Sequence, residues 1–557
     1  GDGDGDGDGG GEDDSSEGGG QTPGQPPPTT PGPSVAPIAP SPSPTLEPTG
    51  SPLDPAKYDR YRKFVDVIMS SGVTPAGKVA SSAVVAMSVP ATTGQQEALN
   101  WIAFDDPLLD PEVDPALRIA QRYAAAVLYY NMAGENWKNN TKWLDPGHEC
   151  GWHGITCEKK QIVARSQPQV QVTVEELMVT EIVLNNNNMF SLVPGEIGAF
   201  PWMDTLSLQS NLLGGQLTPN IANLTRLERL WIDGNKFVGP IPTELGQLDA
   251  LEEADLHQNS FRGQIPTQIG NLVKLRRFSA YDNKLEGTLP TEIGNLINVR
   301  EIFLDTNKIG GSIPGELGGA VELEDLRLFQ NKLSGPIPAG LSGLSNLRVF
   351  YADNNDLTGQ IPATAVAGWM SLVDFEMFDN NIGGTLPAYF GFLPELAVIS
   401  MANNNMDGDI PWIICQTGKL RKIDVSGNSL SGPIPNDIDE CSSLERLYLD
   451  HNEMGSTIPT QIGLLSQLKV LRLNNNNFEG PIPSEIKNMA NLVMIQLERN
   501  QLGGSVPVEL CGRLTGIHAD CEVGNAPVVC TCCTLCCGVE ECVVPNPLPQ
   551  MQKASVP

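Results

Sequence analysis

From residue 179 to about residue 510 the chain repeats one arrangement of apolar and polar positions. Two apolar residues flank a variable one, an Asn comes three residues later, and a Gly and an Ile-Pro pair close the unit. ERLWIDGNKFVGPIP (228–242) returns as EDLRLFQNKLSGPIP (324–338) and RKIDVSGNSLSGPIP (421–435). Fourteen copies run from Asn187 to Asn500 in steps of 24 residues, with one step of 25 between Asn355 and Asn380, inside IPATAVAGWMSL. Alternation with a period of two predicts a short strand whose apolar residues turn to a core. The Asn can bond backbone groups where the chain turns away, so stacked copies form a ladder. The Gly permits the next bend, and the Pro ends the strand-like Ile-Pro segment. One unit alone leaves its apolar face open, so stability must come from stacking: the pattern predicts a solenoid.

Upstream the period changes. DPAKYDRYRKFVDVIM and DPALRIAQRYAAAVLYYNM space their apolar residues at three and four, as amphipathic helices do. The face carried by residues 116–130 is expected to pack against the segment C-terminal to it. EKKQIVARSQPQVQV (158–172) is expected to be a long loop before the first repeat. The resulting organisation is a disordered stalk over 1–53, a helical region over 54–145, a Cys-containing cap and loop over 146–178, repeats over 179–510 and a Cys-rich cap and tail over 511–557.

The unit resembles the plant-type leucine-rich repeat, whose consensus LxxLxLxxNxLxGxIP it matches almost residue for residue over roughly 320 residues. The resemblance implies an α/β solenoid: a leucine-rich repeat superhelix of about fourteen units, with a parallel β-sheet on its concave face, a helical N-terminal cap region and a Cys-rich C-terminal cap. NWKNNTKWLDPGHECGWHGITC (136–157) resembles the N-terminal cap of that family, which implies that Cys150 and Cys157 pair around Trp152. TGQQEALNWIAFDDP, RYAAAVLYYNMAGENW and the terminal CTCCTLCC resemble segments of secreted or surface members from diatoms and related algae.

Composition narrows the setting. The 557 residues carry 66 acidic and 35 basic side chains, a formal net charge of -31. Such a surface repels nucleic acid and anionic lipid and favours cationic partners. No apolar run reaches eighteen residues, so no spanning helix is expected. The start GDGDGDGDGG suggests a cut from a longer precursor, so any membrane anchor is expected before residue 1. Asp2, Asp4, Asp6, Gly7 and Asp13 match the opening of a calcium loop, but no helical pattern flanks them, and a solvated acidic tail is the expectation. TPGQPPPTTPGPSVAPIAPSPSPTLEPTGSP then reads as a semi-rigid stalk.

The twelve cysteines decide the compartment. Cys415 and Cys441 come four and six residues after Pro411 and Pro435 of adjacent repeats, so stacking sets them side by side for a disulfide. A pair that meets only in the folded coil argues for an oxidising environment. Eight more, Cys511, Cys521, Cys530, Cys532, Cys533, Cys536, Cys537 and Cys542, crowd the end. Their spacing also suits a metal cluster, and Cys533–Cys536 is formally a redox motif. The compartment favours structural disulfides that cover the last repeat, with connectivity open and no metal or cofactor. Sequons at Asn139 and Asn223 agree with an extracellular or cell-surface glycoprotein.

Function on such a scaffold is expected at the exposed strand positions. Repeats three to nine each present one ring there: Trp231, His257, Tyr281, Phe303, Phe329, Tyr351 and Phe378. Asp233, Asp255, Asp305, Asp353 and Glu376 sit beside them. An exposed ribbon of rings and acids suits a peptide, a protein or a polysaccharide ligand. The alternative is plain ladder packing, since adjacent rings on strands stack. Ser400, Ala402, Asp424 and Ser426 of repeats ten and eleven are expected to bound the groove. No nucleophile is paired with Asp255 and His257, and no P-loop, GxSxG or HExxH motif occurs, so an enzyme is not expected. The expected role is non-catalytic recognition or adhesion. A structural wall or matrix glycoprotein is the alternative, and inhibition of wall-degrading hydrolases a lesser one. Ice binding, which wants a flat array of small polar residues, does not fit these columns.

Overall fold

The structure, a computed structural model, describes residues 55–70, 93–112, 114–167, 170–521, 528–537 and 542–543. The acidic tail, its calcium-loop match and the Pro-rich stalk lie outside them. The first repeat contributes the end of the long strand Val170–Val183, and each later repeat a three-residue strand, such as Arg229–Trp231 or Asp325–Arg327, to a sheet of eighteen strands. Neighbouring repeats pair in parallel with a fixed register: Leu206, Leu230 and Ala254 lie opposite one another. Across the coil every repeat but one makes a short 3-10 turn, such as Thr243–Gln247, which follows the Pro of the Ile-Pro pair. The Leu-x-Gly segments add short parallel strands of their own, such as Lys236–Gly239 beside Ser260–Gly263.

The Asn ladder forms as the pattern predicts. Asn235 donates from Nδ2 to the carbonyls of Ile232 and Asp233 in its own turn and of Leu208 in the preceding repeat, at 2.9–3.1 Å. Its Oδ1 accepts from the Leu213 N–H at 3.0 Å. One side chain thus closes four backbone bonds that a curved coil would leave open, each worth about 1 kcal/mol net. Asn187 joins the ladder to the N-terminal cap by donating to the Asn139 carbonyl at 3.0 Å. The 25-residue step is absorbed by a turn of α-helix, Ala363–Val366, in place of the 3-10 turn. Trp369 behind it is fully buried and donates to the Leu341 carbonyl at 2.9 Å.

The N-terminal region is helical at Pro55–Ser70, Thr93–Asn100 and Ala116–Asn131. The last of these packs on the first repeat through an unusual polar core. Arg122 is fully buried, pairs with Asp106 at 2.6 Å and Glu149 at 3.0 Å, and lies 5.1 Å from the rings of both Trp101 and Trp152. Gln121 accepts from the Val179 N–H at 3.0 Å, which fastens the helix to the first repeat strand. Residues 158–167 and 170–172, expected to be a loop, are strand. Ile155–Gln167 and Val170–Val183 pair antiparallel, from Ile155 opposite Ile182 to Gln167 opposite Val170. The alternating Val170, Val172 and Val174 carry a strand period, and pairing satisfies the backbone groups that a loop would leave to water.

Among the described residues five disulfides are present: Cys150–Cys157, Cys415–Cys441, Cys511–Cys532, Cys521–Cys536 and Cys530–Cys533. The first encloses the buried Trp152, and the second bridges adjacent coils at the positions that the 24-residue step sets together. Cys537 and Cys542 face each other in backbone register, and their side chains lie outside the described residues. The C-terminal knot continues the solenoid. Gly516–Ala519 and Leu535–Cys537 extend the large sheet, and Cys533 packs into the core at its end.

Candidate functional site

Three positions of each repeat project from the large sheet, the residues before, between and after the core pair, and the twelve candidates hold the second and third. The twelve ligand-binding candidates therefore share one face, as expected, but they do not form an exposed ribbon. Asp233, Asp255, Asp305 and Asp353 are at most 8% exposed. Trp231, His257, Tyr281, Phe303, Phe329, Tyr351, Glu376 and Phe378 are half-buried. Coils stand only about 4.8 Å apart, so each side chain is covered by its neighbours in the same column.

Repeats three to eight satisfy their own polar groups. Gln209 donates to Asp233 at 2.7 Å, and the Trp231 indole N–H donates to Glu253 at 3.0 Å. His257 stacks on Tyr281 with ring centroids 4.3 Å apart, and its Nδ1 bonds the Ser279 hydroxyl at 3.2 Å. Arg277 donates to Asp255 at 2.9 Å and to Glu301 at 3.0 Å. Arg327 is held by Asp325 and lies between two rings, 4.7 Å from Phe303 and 5.7 Å from Tyr351. The Tyr351 hydroxyl donates to Asp374 at 2.8 Å. Ligand-capable atoms of Asp233, Asp255 and His257 lie within 4.8 Å of one another, yet Gln209, Arg277 and Ser279 already engage them. Burial pushes Asp255 up despite Arg277, pushes Asp305 up to about 6, and pushes His257 down.

The residues that organise this network come from a column that the sequence reading passed over, the one just before the core pair. Arg229, Glu253, Arg277 and Glu301 alternate in sign there at 24-residue steps, a signal present in the sequence.

Repeats nine to twelve differ. They open into a cavity of about 600 Å³ with an apolar floor of Val373, Ala397 and Val398. Asp374, Glu376, Arg421, Lys422, Glu445, Arg446 and Tyr448 form its walls. Lys422 donates to the Ser400 hydroxyl at 3.0 Å and stands 3.6 Å from Glu376. Arg421 and Lys469 share Glu445, at 2.8 and 2.6 Å. Asp374 Oδ1 is buried without a hydrogen-bond partner, and burial pushes both Asp374 and Glu376 up. Glu376 alone of the twelve candidates lines this cavity. Repeats ten and eleven, expected to bound the groove, instead line the cavity through Ala397, Val398, Arg421 and Lys422; none of Ser400, Ala402, Asp424 and Ser426 lines it.

A family model described as Leucine Rich Repeat matches residues 226–248, 419–441 and 467–489. No curated protein matches this chain in sequence. Among solved structures, a TDR receptor is similar at 31% identity and a TM-score of 0.55 over 58% of this chain. The Arabidopsis receptor kinase HAESA, in complex with the peptide hormone IDA and the co-receptor SERK1, is similar at 29% identity and a TM-score of 0.54 over 61% of this chain. The match spans 56% and 62% of those two chains, less than two thirds of either. The repeated strand, the Asn ladder, the family model and these neighbours agree: the fold is a leucine-rich repeat solenoid.

Proposed function

We propose that this chain is a non-catalytic extracellular recognition module that binds a peptide or a segment of a protein along its concave face. The cavity over repeats nine to twelve carries the reading. It combines an apolar floor, three cations, three carboxylates and one aromatic ring in an open space, which suits a chain with mixed side chains better than a single small molecule. The half-buried rings of repeats five to eight continue the same face and extend the contact. The HAESA structure contains a peptide hormone, which supports a peptide or protein class over a polysaccharide. Five disulfides support an oxidising, extracellular setting. Asn139 and Asn223, both half-buried, are the proposed glycan acceptors. The Asn139 side chain accepts from Thr141 through Oδ1, so that contact does not engage Nδ2, the atom to which a sugar is joined.

Panning a random peptide library against the folded protein tests the reading. Selected peptides are expected to lose at least tenfold in affinity to the Lys422→Ala variant. Replacing Tyr281, Phe303, Phe329 and Tyr351 together by Ala is expected to weaken them as well, without unfolding the coils. A library that yields no binder, or binders indifferent to both changes, overturns the proposal in favour of a structural glycoprotein.

A further inference from the structure

Repeats twelve to fourteen carry a second polar cluster beyond the cavity. Asp450, Asn474 and Glu498 hold the same position, just after the core pair, on three consecutive strands. Backbone bonds set them side by side: the His451 N–H donates to the Asn474 carbonyl at 3.0 Å, and the Asn475 N–H donates to the Glu498 carbonyl at 2.9 Å. All three residues are at most 8% exposed. One oxygen of each, Asp450 Oδ1, Asn474 Oδ1 and Glu498 Oε2, is buried without a hydrogen-bond partner. The other carboxylate oxygens face histidines, Asp450 toward His451 at 2.9 Å and Glu498 toward His518 at 3.7 Å. Arg472, between them in sequence, turns its guanidinium over the Tyr448 ring at 4.6 Å, and its Nε is likewise without a partner.

Three side chains on successive coils, each with one oxygen unmet, are costly; an unmet buried acceptor costs about 1–3 kcal/mol, and a charged one more. A group that carries positive charge and several N–H donors but no acceptor relieves all three. An ammonium has three such donors and a guanidinium five. We propose that Asp450, Asn474 and Glu498 form a subsite for an ammonium or guanidinium group, carried by a lysine or arginine side chain of the bound peptide or protein. The proposal rests on the recognition reading above and adds to it a ligand chemistry and a direction: the basic residue lies at the C-terminal end of the track, beyond the cavity. Neighbouring side chains cover the three oxygens, so the proposal requires Asn474 and Glu498 to turn outward as the group enters.

Fluorescein-labelled nonapeptides of one glycine-serine frame, with three lysines, three arginines, three norleucines or three glutamates, test it. Lysine and arginine peptides are expected to bind the unaltered protein at least tenfold more tightly than the other two, and their ratio shows which head group fits better. The double variant Asp450→Asn, Glu498→Gln is expected to lose that preference. Asp437→Asn with Asp439→Asn, which removes the same charge from an exposed 3-10 turn, is expected to change it less than twofold. If both pairs weaken the basic peptides equally, only general charge attraction is present and the subsite is refuted. Equal binding of the norleucine peptide refutes it too. Should the double variant not fold, Asn474→Asp serves instead, with a tightening of at least threefold expected for the lysine peptide; no tightening refutes the subsite. Library peptides that depend on Lys422 but show no enrichment in lysine or arginine sink this proposal and leave the recognition reading standing.

Discussion

The concave face behaves as two surfaces on one scaffold. Over repeats three to eight its charged and aromatic side chains bond one another: Arg277 holds two carboxylates, Arg327 sits between two rings, and His257 lies on Tyr281. Over repeats nine to fourteen the same columns leave a cavity and four buried acceptor oxygens without partners, on Asp374, Asp450, Asn474 and Glu498. Backbone geometry is the same in both halves, so the difference lies in side-chain volume and sign. The first half alternates long cations and acids with rings. The second contains Ser400, Ala402 and Ser426, and then places acceptors on three successive coils. A repeated fold thus makes a half whose polar groups bond one another and a half with unmet acceptors from one strand pattern.

The largest effect expected from breaking this contrast is at Arg277. Changing it to Met strands Asp255, 8% exposed, and Glu301 on a crowded face, and should cost about 2–3 kcal/mol in urea unfolding. Arg472→Met, in the half with unmet acceptors, removes a cation that lies over Tyr448 and should change stability by no more than about 0.5 kcal/mol. Equal costs would show that the two halves are not differently satisfied.

A smaller effect, of opposite sign, is expected at Asp305. Its pKa is raised from the ordinary value to about 6 by burial, so the folded chain holds this proton more tightly than the unfolded one. Stability is therefore lowered above pH 6 and recovered as the pH falls from 6 toward 4. Asp305→Asn should stabilise by about 1 kcal/mol at pH 7, after allowance for partial solvent access, and by nothing below pH 4. Unfolding curves at both pH values check this, and a gain that persists at pH 4 would point to packing rather than charge. The smallest stability effect is expected at Asp374→Asn. The Tyr351 hydroxyl keeps an acceptor and the unmet oxygen is not bonded to the protein, so the change should stay within about 0.5 kcal/mol, while capture of library peptides falls.

How much of this was legible in the sequence depends on distance along the chain. A 24-residue step turns remote positions into neighbours. The core columns, the Asn ladder, the side-by-side placement of Cys415 and Cys441 and the shared face of the twelve candidates could therefore all be read before any fold was known. The charge alternation of Arg229, Glu253, Arg277 and Glu301 was equally readable, but the rings of the adjacent column are the more conspicuous signal and masked it. The antiparallel strands Ile155–Gln167 and Val170–Val183 were hidden by Pro168 and the glutamines around it, which look like loop residues in sequence. The buried Arg122 could not be placed, because its partners Asp106 and Glu149 come from segments with no fixed spacing to it.

What the amino-acid order determined by itself is everything that depends on period: strand, turn, ladder, stacking direction and the cysteines that stacking brings together. What only the tertiary structure decided is exposure and satisfaction. Coils about 4.8 Å apart bury side chains that strand alternation alone would assign to solvent. Whether a carboxylate there finds a cation or remains unmet depends on the length and charge of the side chains one coil away on either side. Those are pairwise, three-dimensional facts, and they separate the half of this face whose polar groups are met from the half proposed to receive a ligand.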